Sequence, residues 1–153
     1  MDSNLRVFRA SDAESVKNLI LDILSKEYPF DRSAYSDSDL HKIGETYGGK
    51  REAFLVAEES GQIVGTVGVK EESQTEALLR RLFVDLRHRK KGYGANLLDK
   101  AIEFCRGKGY KKIYFKCTDR MHDAMRLCVK KGFKETDKLE VGGFNIHKLE
   151  FHF

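Results

Sequence analysis

The sequence has 153 residues, 41% of them hydrophobic and 34% charged, with a net charge of +4. That length suits one domain over residues 1–153 built on one core, and no apolar run approaches the ~20 residues that span a bilayer. The opening Met1-Asp2-Ser3-Asn4-Leu5-Arg6 lacks the basic-then-apolar layout of a secretory signal, so a cytoplasmic protein with no membrane partner is expected.

Residues 5–9 alternate apolar and polar and predict a first strand. Ser11-Asp12-Ala13-Glu14 reads as a capping box. Val16, Leu19, Ile20, Ile23 and Leu24 follow at helical spacing, which predicts a helix with one core-facing side. Tyr28-Pro29-Phe30-Asp31 stops it, and residues 31–47 are polar and acidic with a short helix over 38–47. Residues 54–58, the Ser60-Gly61 turn and residues 62–70 predict a hairpin, and residues 78–84 another strand. Residues 92–106 predict a helix closed by Gly107 and Gly109. A strand over 113–117 follows, then a helix marked by Met121, Ala124, Met125, Cys128 and Val129 and ended by Gly132. Two last strands flank Gly142-Gly143, and an exposed edge on residues 145–153 would let a second subunit pair, so monomer or homodimer is expected. The strand–helix–strand unit over 78–117 implies parallel strands and the hairpin antiparallel ones, hence an α/β (α+β) mixed sheet with flanking helices.

Three cysteines with no C-x-x-C spacing and five scattered histidines predict reduced thiols and no metal site. The charge is unevenly spread. Residues 11–60 hold eleven acids and six bases, whereas residues 86–112 hold nine bases against Asp99 and Glu103. That split suits a protein that holds an anion on one side and a cation on the other.

The basic segment contains Arg89-Lys90-Lys91-Gly92-Tyr93-Gly94, between a predicted strand and a predicted helix. Free backbone N–H groups and the positive end of the helix dipole make such a turn a phosphate site. Glycines allow close approach, and the cationic side chains add charge. A P-loop is excluded because no G-x-x-x-x-G-K-[ST] occurs, and the dinucleotide fingerprint fails because Leu97 stands at its third glycine position.

Residues Leu82-Phe83-Val84-Asp85 followed by Arg89-Lys90-Lys91-Gly92-Tyr93-Gly94 resemble the [RQ]-x-x-G-x-[GA] signature of the GNAT acetyltransferase superfamily, with its preceding strand. Ala124 to Gly132-Phe133 resembles the family's second signature, a helix ending in L-Y-x-x-x-G-F, except that Cys128 stands for the tyrosine. The resemblance implies a GNAT fold in which two parallel strands, over 78–84 and 113–117, splay around acetyl-CoA, with no metal. It implies an N-acetyltransferase that moves the acetyl group directly to an amine. The N–H groups around Arg89, Lys90, Lys91, Gly92, Tyr93, Gly94 and Ala95 would hold the pyrophosphate. The backbone of Phe83 and Val84 would pair with the pantetheine arm and aim an N–H at the thioester oxygen.

Direct attack needs a neutral amine, so a carboxylate or a water held by one should take its proton. Relatives carry a glutamate where this sequence has Leu78; Glu76 is the candidate base, with Glu58, Glu59 and Glu71 as alternatives. Cys128, at the position of the tyrosine that protonates the leaving thiolate, is the candidate acid, although it also continues an apolar helix face. The acceptor segment offers Tyr28, Phe30, Asp31, Tyr35, Asp37 and Asp39, which would suit a cationic amine. An acyl-CoA-binding sensor or scaffold without catalysis is the alternative. A nucleic-acid partner for the basic run is not expected, since no recognition helix or stacking platform accompanies it.

Overall fold

The hairpin turn at Ser60-Gly61 has both residues at positive φ, +52° and +80°. This is the backbone twist that joins two antiparallel strands through a two-residue loop. It links β2 (Ala53–Glu59) to β3 (Gln62–Glu71), within a computed structural model that describes residues 4–27 and 38–153. The remaining strands are β1 (Leu5–Val7), β4 (Glu76–Val84), β5 (Lys112–Thr118), β6 (Lys134–Val141) and β7 (Phe144–His152). The helices are α1 (Ala13–Glu27), α2 (Ile43–Thr46), α3 (Tyr93–Gly107) and α4 (His122–Lys130). A second hairpin, through Gly142 and Gly143 at φ +56° and +85°, joins β6 to β7.

The strands form one sheet in the order β1-β2-β3-β4-β5-β7-β6, antiparallel except for the parallel β4–β5 pair. This is the mixed sheet that the sequence predicts. The expectation of a free edge on the last strand is corrected: β7 lies between β5 and β6, bonded to both, and β6 takes the edge. The predicted Ser11–Glu14 box is also replaced. Asp12 Oδ2 instead accepts the Arg9 N–H at 2.8 Å and a hydrogen bond from Arg6 Nη1 at 2.7 Å.

Helices cover the two faces of β2–β4 differently. Leu97 of α3 packs over Gly65, where an added Cβ would come within 2.9 Å of its Cδ1. Tyr47 and Phe54 cover Gly68, three residues on and therefore on the other face. Val16, Ile20 and Leu24 of α1 are buried, as are Leu97, Leu98 and Ala101 of α3, which places apolar layers on both faces. Such burial, at roughly 25 cal/mol per Å² of apolar surface, is what holds helices to sheet.

Candidate active site

β4 and β5 pair only where they begin. Glu76, Ala77 and Leu78 lie opposite Lys112, Ile113 and Tyr114, and beyond Leu78 the strands have no further pairs, although β4 runs on to Val84. The cause is a bulge in β4. Thr66 of β3 faces Phe83 while Gly68 faces Arg80, so Arg81 and Leu82 share one position opposite Val67. Arg81 takes φ +56°, and the Thr66 hydroxyl donates to its carbonyl at 2.7 Å. A bulge bends and twists its strand, which turns the far half of β4 away from β5.

Buried polar contacts hold the bulge. Arg81 Nε donates to Asp39 Oδ2 at 3.0 Å, its Nη2 donates to Asp39 Oδ1, and the Tyr47 hydroxyl donates to Asp39 Oδ2 at 2.7 Å. Burial pushes the Asp39 carboxyl upward, but the Arg81 hydrogen bonds and charge outweigh it and hold the group below its ordinary value.

The turn after β4 carries Lys90 at φ +65° and Gly92 at φ +88°. Gly92 is needed for its dihedral, since an added Cβ would meet nothing within 4 Å. Gly94 is needed for space: a Cβ there would lie 3.2 Å from Leu127 Cδ2 and 3.6 Å from Val84 Cγ2. The N–H groups of Tyr93, Gly94 and Ala95 open α3 and have no preceding turn to bond, so they and the helix dipole can serve an anion. A cavity of about 510 Å³ adjoins them, walled by the end of β4, the turn, the start of α3 and the Met121–Leu127 side of α4.

Of the residues predicted to bind the donor, Phe83, Val84, Arg89, Lys90, Gly92, Tyr93, Gly94 and Ala95 line this cavity, and Lys91 does not. Two of the cations are committed to the protein. Arg89 donates to both Glu27 oxygens, at 2.7 and 2.8 Å, and to the Val84 carbonyl at 2.9 Å, tying the turn to α1 and β4. Lys91 lies 3.2 Å from Glu59, which also accepts the Tyr93 hydroxyl at 2.7 Å. The Tyr93 and Lys91 contacts hold the Glu59 carboxyl below its usual range. The Arg89 guanidinium is thus occupied, and the backbone N–H groups at the start of α3, with Lys90, are what the cavity could offer an anion.

A smaller cleft of about 190 Å³ lies between the splayed strands and shares Leu82, Phe83 and Met121 with the first. Its charged lining is Arg80, Arg81 and Lys116, and no carboxylate among the described residues lines it. Arg80 and Leu78 alternate onto the face that carries Tyr47 and α2, opposite α3. The two cavities thus meet at the wedge from opposite faces.

Both candidate proton carriers fall outside these cavities. Glu76 sits where the strands are still paired, 2.9 Å from Lys112 Nζ, because the wedge opens only beyond Leu78. Cys128 is fully buried, and that burial pushes its thiol up to about 12. Its place on the apolar face of α4 makes it a packing residue. Glu58 bonds Arg6 and Glu71 bonds Arg51; neither lines a cavity. Tyr28, Phe30, Asp31, Tyr35 and Asp37 lie outside the described residues, and Asp39 is the buried partner of Arg81. Sequence reasoning missed Arg80, Arg81, Lys116 and Met121. The adjacent arginines in an otherwise apolar strand were the signal, since alternation sends one to each face and so puts a charge on both sides of the sheet.

The family model for the acetyltransferase (GNAT) family matches residues 17–133. The chain belongs to the GNAT family. N-acetyltransferase 8 of Homo sapiens is 32% identical over 105 residues, covering 65% of this chain and 46% of that protein. This GNAT chain spans about half the length of the curated relatives it matches. Its fold is similar to that of a GNAT acetyltransferase from Staphylococcus aureus Mu50, with a TM-score of 0.85 at 24% identity over 97% of this chain and 98% of that one. It is similar also to yncA from Salmonella typhimurium, solved with acetyl-CoA, with a TM-score of 0.79 at 18% identity over 97% and 92%.

Proposed function

We propose that this GNAT protein is an acetyl-CoA-dependent N-acetyltransferase that passes the acetyl group directly to a primary amine. The observation that carries the reading is the wedge: β4 and β5 part at Leu78, and the opening leads from a glycine-bearing helix start to a cleft on the other face. Acetyl-CoA fits that arrangement, being a long chain with a dianionic middle and a small reactive end. Bound there, it would supply the activated acyl group.

The residues have separate tasks. Tyr93, Gly94 and Ala95 offer N–H groups to the pyrophosphate, with Lys90 adding charge at the cavity wall. Arg89 and Lys91 hold the turn in shape through Glu27 and Glu59. Phe83 and Val84 lie on β4 beyond its pairing with β5 and serve the pantetheine arm and the thioester oxygen; the Val84 carbonyl is taken by Arg89, which leaves N–H groups for the thioester oxygen. Holding both reactants at one opening supplies much of the acceleration. No carboxylate among the described residues lines the acceptor cleft.

Thioester consumption measured with a panel of amines tests this. Release of CoA that depends on an amine and yields its N-acetyl product supports transfer. Acetyl-CoA binding without turnover on any amine would favour a sensor or scaffold instead.

A further inference from the structure

We propose that the acceptor is a small amine that carries its own carboxylate, an amino-acid-type substrate, recognised by Arg80 and Lys116. This rests on the transferase reading and narrows it.

The acceptor-side cleft has cationic side chains on both walls, Arg80 and Arg81 from β4 and Lys116 from β5, and no acidic one among the described residues. Asp39 answers only part of that charge. It is bonded directly to Arg81, while Arg80 Nη2 stands 3.8 Å from the same carboxylate. Lys116 has no ion-pair partner among the described residues; its ammonium lies 5.7 Å from the centre of the Tyr114 ring. Lys148, opposite Lys116 in register, adds a further cation on that face and is partly offset by Glu150 at 3.4 Å.

A purely cationic acceptor would meet like charge on both walls. A carboxylate-bearing amine meets complementary charge, and Arg80 and Lys116 are each able to make charge-assisted hydrogen bonds to it. The same pairing helps the chemistry. The substrate's carboxylate is what keeps its neighbouring ammonium protonated in water; neutralised by the cleft, it no longer does so, and the positive walls favour the neutral, nucleophilic amine. The charge of the cleft thus favours deprotonation of the bound amine. Leu78, Phe83 and Ile146 supply an apolar lining for the rest of the molecule.

The test compares apolar amino acids with their carboxamides as acceptors, at one pH, in the wild-type protein and in Lys116→Gln, Lys116→Arg and Arg80→Gln. The free acid should be favoured in kcat/KM by about tenfold or more, although its amine is intrinsically the more protonated. Lys116→Gln should remove most of that preference through KM, and Lys116→Arg should restore it. Equal or better use of the carboxamide by the wild type overturns the assignment. If neither is consumed while acetyl-CoA still binds, the wider amine panel decides the transferase reading, and equilibrium binding to the CoA-saturated protein decides the cleft separately. Tighter binding of the free acid that Lys116→Gln abolishes supports the carboxylate site, and equal binding of acid and amide overturns it.

Discussion

Arg81 and Asp39, 42 residues apart, form a doubly hydrogen-bonded pair beneath the β4 bulge, both almost wholly buried. Asp39 belongs to the 3-10 turn Ser38–His41 that precedes α2, so this pair ties a connecting segment to the strand that opens the wedge. Removing one partner leaves the other charge facing low dielectric, which costs about 3–5 kcal/mol. Asp39→Asn should therefore lower the melting temperature by on the order of 10 °C. Replacing both residues by apolar ones should cost less than the single change, as measured by thermal unfolding.

The two turn glycines should fail in different ways. Gly92→Ala forces a side chain into φ +88°, at about 1–2 kcal/mol, without obstructing anything. Gly94→Val places bulk against Leu127 and Val84, where α3 meets α4 and β4 at the cavity. Titration with acetyl-CoA should show Gly94→Val weakened by about tenfold or more, a loss of about 1.4 kcal/mol, with Gly92→Ala affected less.

Cys128 and Glu76 should prove dispensable for chemistry. Cys128→Ala removes a buried sulfur and should cost about 1 kcal/mol of stability, with kcat within about twofold of wild type. Glu76→Gln breaks a half-buried ion pair to Lys112 and should leave kcat unaltered. A pH–rate profile that changes shape in either variant would contradict their placement outside the cavities.

Much of this was legible in the sequence because local signals and tertiary structure agree. Gly92 and Gly94 declare a turn that needs their dihedral and space, and Leu97, Leu98 and Ala101 declare the buried side of α3. The proton-transfer residues were misplaced for a physical reason. Glu76 does share a strand face with Leu78, but it lies where β4 and β5 are still paired, and the wedge opens only beyond Leu78, which sequence spacing alone does not reveal. Position in a signature likewise placed Cys128 at the chemistry, but a thiol is much shorter than a tyrosine and stays in the core. The order β5-β7-β6 was hidden because a two-residue hairpin does not say which of its strands meets the sheet.

Stability should also fall on the alkaline side of neutrality. His147 lies 2.7 Å from Glu135 and is bonded to Asp119, and the Asp119 bond, with help from Glu135, raises its pKa above the ordinary 6.5. The folded protein then holds a proton that the unfolded chain releases, so this contribution is complete below about 6.5 and is lost as pH rises through the raised value. Chemical denaturation across pH 6 to about 9 should show a decline that His147→Gln flattens.

A crystal structure with acetyl-CoA tests the central claim most directly. The pyrophosphate is expected on the N–H groups of Tyr93, Gly94 and Ala95, with the pantetheine arm entering between β4 and β5 beyond Leu78. Acetyl-CoA bound away from that wedge, with the two strands unoccupied, would contradict it.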